Sequence, residues 1–158
     1  MTEILPWLFL GSVEETSESW LAANKITSVL NVAEELDDVR VGDRNYLHVK
    51  FDDYNTNLNF DGQIKKAVEF IKTCKERNDR ILVHCYAGIN RSTTTIIFYL
   101  ALHEGYSILD AFRFIKAKRS IIDPILLCVI CNETEDHSDY YSHILTETVL
   151  LPSDLKKL

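Results

Sequence analysis

Arg80-Ile81-Leu82-Val83-His84-Cys85-Tyr86-Ala87-Gly88-Ile89-Asn90-Arg91-Ser92-Thr93-Thr94-Thr95-Ile96-Ile97-Phe98-Tyr99-Leu100-Ala101 is the stretch whose reading decides the fold. It opens on a short apolar run of the kind buried in a parallel sheet and closes on the apolar content of a packed helix. In between, Cys85 is followed six positions later by Arg91, with Gly88 midway. Strand, tight loop and helix in this order turn backbone N–H groups inward at a helix N-terminus, where unpaired donors and the positive end of the dipole favour an anion. The same field favours ionised sulfur, so Cys85 reads as a nucleophile rather than as a small buried apolar residue. Gly88 permits a turn that a Cβ would hinder. Arg91 supplies a planar fork of donors able to hold two oxygens of a phosphate.

Working outward, the 158 residues, 46% of them hydrophobic, fit one compact domain with a real core. Apolar runs alternate with helical patterns, as in Gln63 to Cys74, where Ile64, Ala67, Val68 and Ile71 share one face. That alternation predicts an α/β fold, a three-layer sandwich with a central, mainly parallel sheet of about five strands flanked by helices. Ser12 with Glu15, and Ser107 with Asp110, have the spacing of capping boxes. The net charge of −7, with no basic run, argues against nucleic acid and membrane surfaces as partners. No apolar leader opens the chain, the run from Ile125 to Cys131 is too short to span a bilayer, and Thr2 does not fit N-myristoylation. A soluble protein of the cytosol or nucleus, where a reactive thiol stays reduced, is the expectation.

The loop resembles the signature of the cysteine-dependent phosphatases, His-Cys-x-x-Gly-x-x-Arg-Ser/Thr, at His84, Cys85, Gly88, Arg91 and Ser92. Ala87 and Asn90 make it similar to the small dual-specificity protein phosphatases in particular. The resemblance covers about the first 124 residues. Ile4 to Ser12, Ile26 to Val32 and Tyr46 to Asp53 look like that family's first three strands, and two helices are expected after the loop. It implies a protein phosphatase acting on phosphotyrosine and phosphoserine or phosphothreonine through a phosphocysteine intermediate, without cofactor or metal. Cys85, Arg91, Asp53 and Ser92 are then the catalytic set, with Tyr86, Ala87, Gly88, Ile89, Asn90 and Arg91 binding substrate.

Each assignment has a plainer rival. A general acid is needed to protonate the departing oxygen, and both Asp52 and Asp53 follow the apolar alternation of Leu47, Val49 and Phe51. Family spacing favours Asp53 and leaves Asp52 as a turn residue. Ser92, implied to assist departure of the thiolate, could instead cap the helix. His84 reads as organising the loop from below. Arg40, Arg44 and Lys50 could touch substrate but read better as solvated surface. A phosphopeptide-binding pseudophosphatase would lack Cys85 or Arg91, and both are present. Phosphoinositide or RNA 5′-phosphate substrates would call for basic side chains at 86, 87, 89 and 90, which carry none.

The catalytic domain is expected over residues 1–131, with 132–158 a C-terminal extension of the same compact unit. There the chain departs from the family, with the acidic run Asn132 to Asp136 and then Tyr140, Tyr141, Ile144 and Leu145. That segment could form an added helix that packs on the body, in a monomer, or supports a weak homodimer, or it could be a polar tail. Cys128, Cys131, His137 and His143 offer zinc-type ligands, but the spacing is short and Leu126, Leu127, Val129 and Ile130 read as core. Cys74 reads as core too. A reversible disulfide of Cys85 with another thiol would protect it from over-oxidation.

Overall fold

Residues 1–37, 40–52 and 60–124 are described by a computed structural model. Five strands form one sheet in the order β1-β2-β5-β3-β4: β1 (Thr2–Leu5), β2 (Leu8–Gly11), β3 (Ser28–Asn31), β4 (Asn45–His48) and β5 (Ile81–His84). β1 pairs antiparallel with β2, and every other pair is parallel. The expected α/β sandwich is therefore present, with one departure at the start. Ile4 to Ser12 is not a single strand but a hairpin broken at Pro6-Trp7, since Pro6 has no N–H to continue a ladder.

Strand alternation sorts the core into two layers. Leu8, Leu10, Leu30, Ile81 and Val83 face α2 (Phe60–Glu76), α3 (Arg91–His103) and α4 (Ile108–Lys118). Phe9, Val29 and Leu82 point the other way and pack with Leu21 of the short α1 (Glu18–Ala23). Helix α3 lies between α2 and α4 and is buried on every side from Arg91 to Leu100. Such a helix cannot shift without repacking the domain, which gives its N-terminus a fixed position.

This topology places the loop. β5 is central, and its end at His84 is level with Gly11 of β2 and Asn31 of β3. Chain leaving all three strands meets at the carboxyl edge of the sheet, where open α/β sheets gather their sites. A 3₁₀ turn (Val13–Thr16) opens after Ser12, whose N–H donates to Glu15 Oε2 at 2.8 Å, while Ser107 accepts from the Asp110 N–H at 3.0 Å to start α4. Asp53, the possible zinc ligands and the extension proposed for dimer contacts lie outside the described residues. Cys74 is fully buried, and burial pushes its thiol up.

Leu30 is fully buried between strands β5 and β4 on the helix-covered face. Leu30→Ala is expected to lower unfolding free energy by about 3 kcal/mol, seen as a lower urea midpoint at unchanged slope.

Candidate active site

Between β5 and α3 the loop carbonyls are held from outside, one after another. Tyr86 O accepts from Val13 N at 3.1 Å, and Ile89 O from Asp123 N at 3.0 Å. Between them, Arg119 takes Ala87 O through Nη2 at 3.3 Å and Gly88 O through Nε at 3.0 Å. No peptide bond among the described residues is cis, and in a trans peptide the next N–H points opposite to the carbonyl. The amides of residues 87 to 90 therefore face the interior of the loop. One of them is seen to do so, as Gly88 N donates to Cys85 Sγ at 3.3 Å.

Gly88 has φ +67, and a Cβ there would lie 2.5 Å from Gly11 O. Both the left-handed backbone and the close approach to β2 demand glycine. Cys85 is 2% exposed, at the bottom of the loop, with Ser92 Oγ 3.2 Å from its sulfur. Ser92 is not the helix cap: the N-cap is Asn90, and Ser92 sits within the first turn of α3. His84 is buried beneath, its Nδ1 3.4 Å from Cys85 O. Burial lowers its pKa to about 4, so the ring is neutral near pH 7.

Arg91 is buried at the start of α3 and reaches the segments that follow β3 and β4. Its Nη1 donates to Glu35 Oε2 at 2.5 Å and to Phe51 O at 3.1 Å, and Nη2 donates to Glu35 Oε1 at 2.6 Å. Hydrogen bonding to Arg91 holds the half-exposed Glu35 carboxyl below its ordinary value. Glu35 follows β3 and Phe51 follows β4, and the two segments are tied by Glu34 N to Phe51 O at 3.1 Å. The half-buried Asp52 comes next and lies near enough to Glu35 to act on its charge. The segment after β4, at Phe51 and Asp52, is thus tied to Arg91 at the start of α3.

The structure brings Cys85, Gly88, Arg91 and Ser92 together and leaves Asp53 outside the described residues. Glu35 and Arg119 are additions that no local pattern announces. Glu35 sits in an acidic run, Arg119 past a helix end, and their partners are 56 and 31 residues away. Arg44 is no substrate contact, since it pairs with Glu18 and donates to Ile26 O and Val41 O. Among the described residues no cluster of His, Cys, Asp or Glu could hold a metal ion, and no helix is long and apolar enough to cross a membrane.

The catalytic-domain model of the dual specificity phosphatases matches residues 8–127. The chain belongs to that family. A probable rhodanese domain-containing dual specificity protein phosphatase of Dictyostelium discoideum is 35% identical over 91% of this chain and 29% of its own length. Human dual specificity protein phosphatase 4 is 37% identical over 77% of this chain and 31% of its own. This phosphatase-family chain therefore spans about 30% of the length of such relatives. The crystal structure of DUSP15 superposes with a TM-score of 0.71 at 32% identity, covering 78% of this chain and 79% of that one.

Arg119→Ala should release two carbonyls and weaken binding of inorganic phosphate to the loop about tenfold, with Arg119→Lys restoring little because an ammonium cannot reproduce the fork; isothermal titration reads both. The depressed pKa of His84 means that the unfolded chain binds its proton first as pH falls. Its contribution is whole above pH 6.5 and is lost progressively toward about 4. The thermal midpoint should begin to drop below pH 6.5, above the range where carboxylates titrate, and His84→Gln should flatten that part of the curve.

Proposed function

We propose that this chain is a cysteine-dependent protein phosphatase that hydrolyses phosphotyrosine and phosphoserine or phosphothreonine. The observation carrying the proposal is buried Cys85 Sγ at the bottom of a loop whose carbonyls are held outward, with the Gly88 amide donating to it at 3.3 Å and Ser92 Oγ 3.2 Å away. Family membership supports it independently.

In the first step the Cys85 thiolate attacks phosphorus, an S–P bond forms, and the ester P–O bond breaks as Asp53 gives its proton to the leaving oxygen. In the second, water attacks phosphorus as Asp53 takes its proton, a P–O bond forms and the S–P bond breaks, and Cys85 departs as thiolate, releasing inorganic phosphate. The amides of residues 87 to 90 and Arg91 receive the charge of the bipyramidal transition state, the task a divalent cation performs in kinases. Ser92 Oγ, 3.2 Å from the sulfur, donates to the thiolate as it departs. Glu35 fixes the position of the Arg91 guanidinium by accepting from both Nη atoms. Loop side chains 86, 87, 89 and 90 bring no cation, which suits a single phosphoryl group on a protein. A reactive thiol of this kind belongs in the reducing cytosol or nucleus.

Hydrolysis of para-nitrophenyl phosphate is expected with EDTA present, and Cys85→Ser should reduce kcat by about ten-thousandfold while phosphopeptide binding persists. Asp53→Asn should cost about hundredfold on phosphotyrosine peptide and remove the limb of the pH profile that reports the acid, whereas Asp52→Asn should cost little. An EDTA-abolished rate, or full activity in Cys85→Ser, would overturn the reading.

A further inference from the structure

Only three large apolar side chains are well exposed among the described residues: Trp20 at 48%, Tyr86 at 59% and Ile121 at 57%. They come from α1, from the residue after Cys85 and from the segment after α4, yet all three line one hollow of about 490 Å³. Three distant parts of the sequence converging on one exposed apolar surface is the mark of an interaction site rather than of scattered surface residues. The hollow is also continuous with the active-site loop. Tyr86 and Ala87 form one wall, Val13 and Arg119 belong to it as well, and both of these hold loop carbonyls. It opens on the side of the loop away from Glu35 and Asp52, because β2 and β3 flank β5 on opposite sides.

Charge narrows the occupant. Arg119, the one cationic side chain lining the hollow among the described residues, is engaged by the loop and lies within electrostatic reach of Cys85. Glu15 is tied to Ser12 N, and Glu18 nearby pairs with Arg44. Glu14 is exposed at the edge with no cation against it among the described residues. We infer that the hollow is a subsite for the substrate segment flanking the phosphorylated residue, taking an apolar side chain between Trp20, Tyr86 and Ile121 and a basic one beside Glu14.

This inference rests on the phosphatase reading and goes beyond it by assigning peptide selectivity to a surface outside the phosphate loop. Tyr86 directly follows Cys85 and lines the hollow, so the chain attached to a phosphate at Cys85 can lead into it. At about 3.3 Å per extended residue, the apolar anchor falls within about three positions of the phosphorylated one. The negative charge of the whole chain, −7, draws basic segments toward the same cleft.

The test compares phosphotyrosine peptides identical except within three positions of the phosphate, carrying either Leu and Lys or Gly and Glu. Turnover by the wild type and binding to Cys85→Ser, by fluorescence polarisation, are both read. Each variant's peptide kcat/KM is divided by its own rate on para-nitrophenyl phosphate, which has no flanks. A preference of about tenfold or more for the Leu-Lys peptide is expected, collapsing toward unity in Trp20→Ala and in Ile121→Ser. Glu14→Lys, on an exposed turn, should lose the Lys-dependent part and keep the Leu-dependent part, with the Lys effect shrinking in salt. Equal handling of both peptides, or a preference that survives Trp20→Ala and Ile121→Ser, overturns the inference. So does wild-type self-association that Trp20→Ala abolishes while selectivity stays, which would make the hollow a contact between copies. Selective binding by Cys85→Ser without wild-type turnover of any phosphate would keep the subsite and sink the phosphatase reading instead.

Discussion

The domain depends on the outward anchoring of four successive carbonyls, those of Tyr86, Ala87, Gly88 and Ile89. A loop at the end of a central strand could collapse in many ways, and most would leave its amides pointing at one another or at solvent. Here the 3₁₀ turn after β2, the arginine past α4 and the backbone at Asp123 each hold a carbonyl from a different direction. Peptide planarity then turns the amides to the inside of the loop, where Gly88 N meets the sulfur. Gly88 closes the constraint, because the approach to Gly11 has no room for a side chain. An anion site built this way is preorganised, so no reorientation of dipoles is needed when charge develops on the phosphoryl oxygens.

Much of this was legible in the sequence, for reasons that can be located. Ile81 to His84 reads as a buried strand because it is short, apolar and bounded, and the helix from Ser92 because its apolar content continues too long for a strand. The spacing of Cys85, Gly88 and Arg91 is local chemistry, visible without a fold. Pro6 is also visible in the sequence, but the apolar residues on either side carried the strand reading across it. Glu35 and Arg119 were invisible for a deeper reason. Nothing near Glu35 distinguishes it from Glu34, and only the tie between the segments after β3 and β4 aims it at Arg91. For Ser92 the sequence favours contact with the sulfur and leaves helix capping as the rival, and the helix start at Arg91 separates the two.

The two flanks of the loop divide the labour of the cleft. On one side stand Glu35 and Asp52, with Arg91 paired to the former. On the other lies the apolar hollow, whose walls share hydrogen bonds with the loop itself. Val13 and Arg119, which line it, also hold loop carbonyls in place. Arg119 stands at that junction, lining the hollow while gripping Ala87 and Gly88.

The stereochemistry at phosphorus tests the central claim most directly. With a substrate made chiral by oxygen isotopes and sulfur, displacement by Cys85 followed by displacement by water inverts the centre twice, so the account predicts net retention. Net inversion in the released phosphate would mean that water attacks the substrate directly, and that the sulfur at the focus of the amides is not the nucleophile.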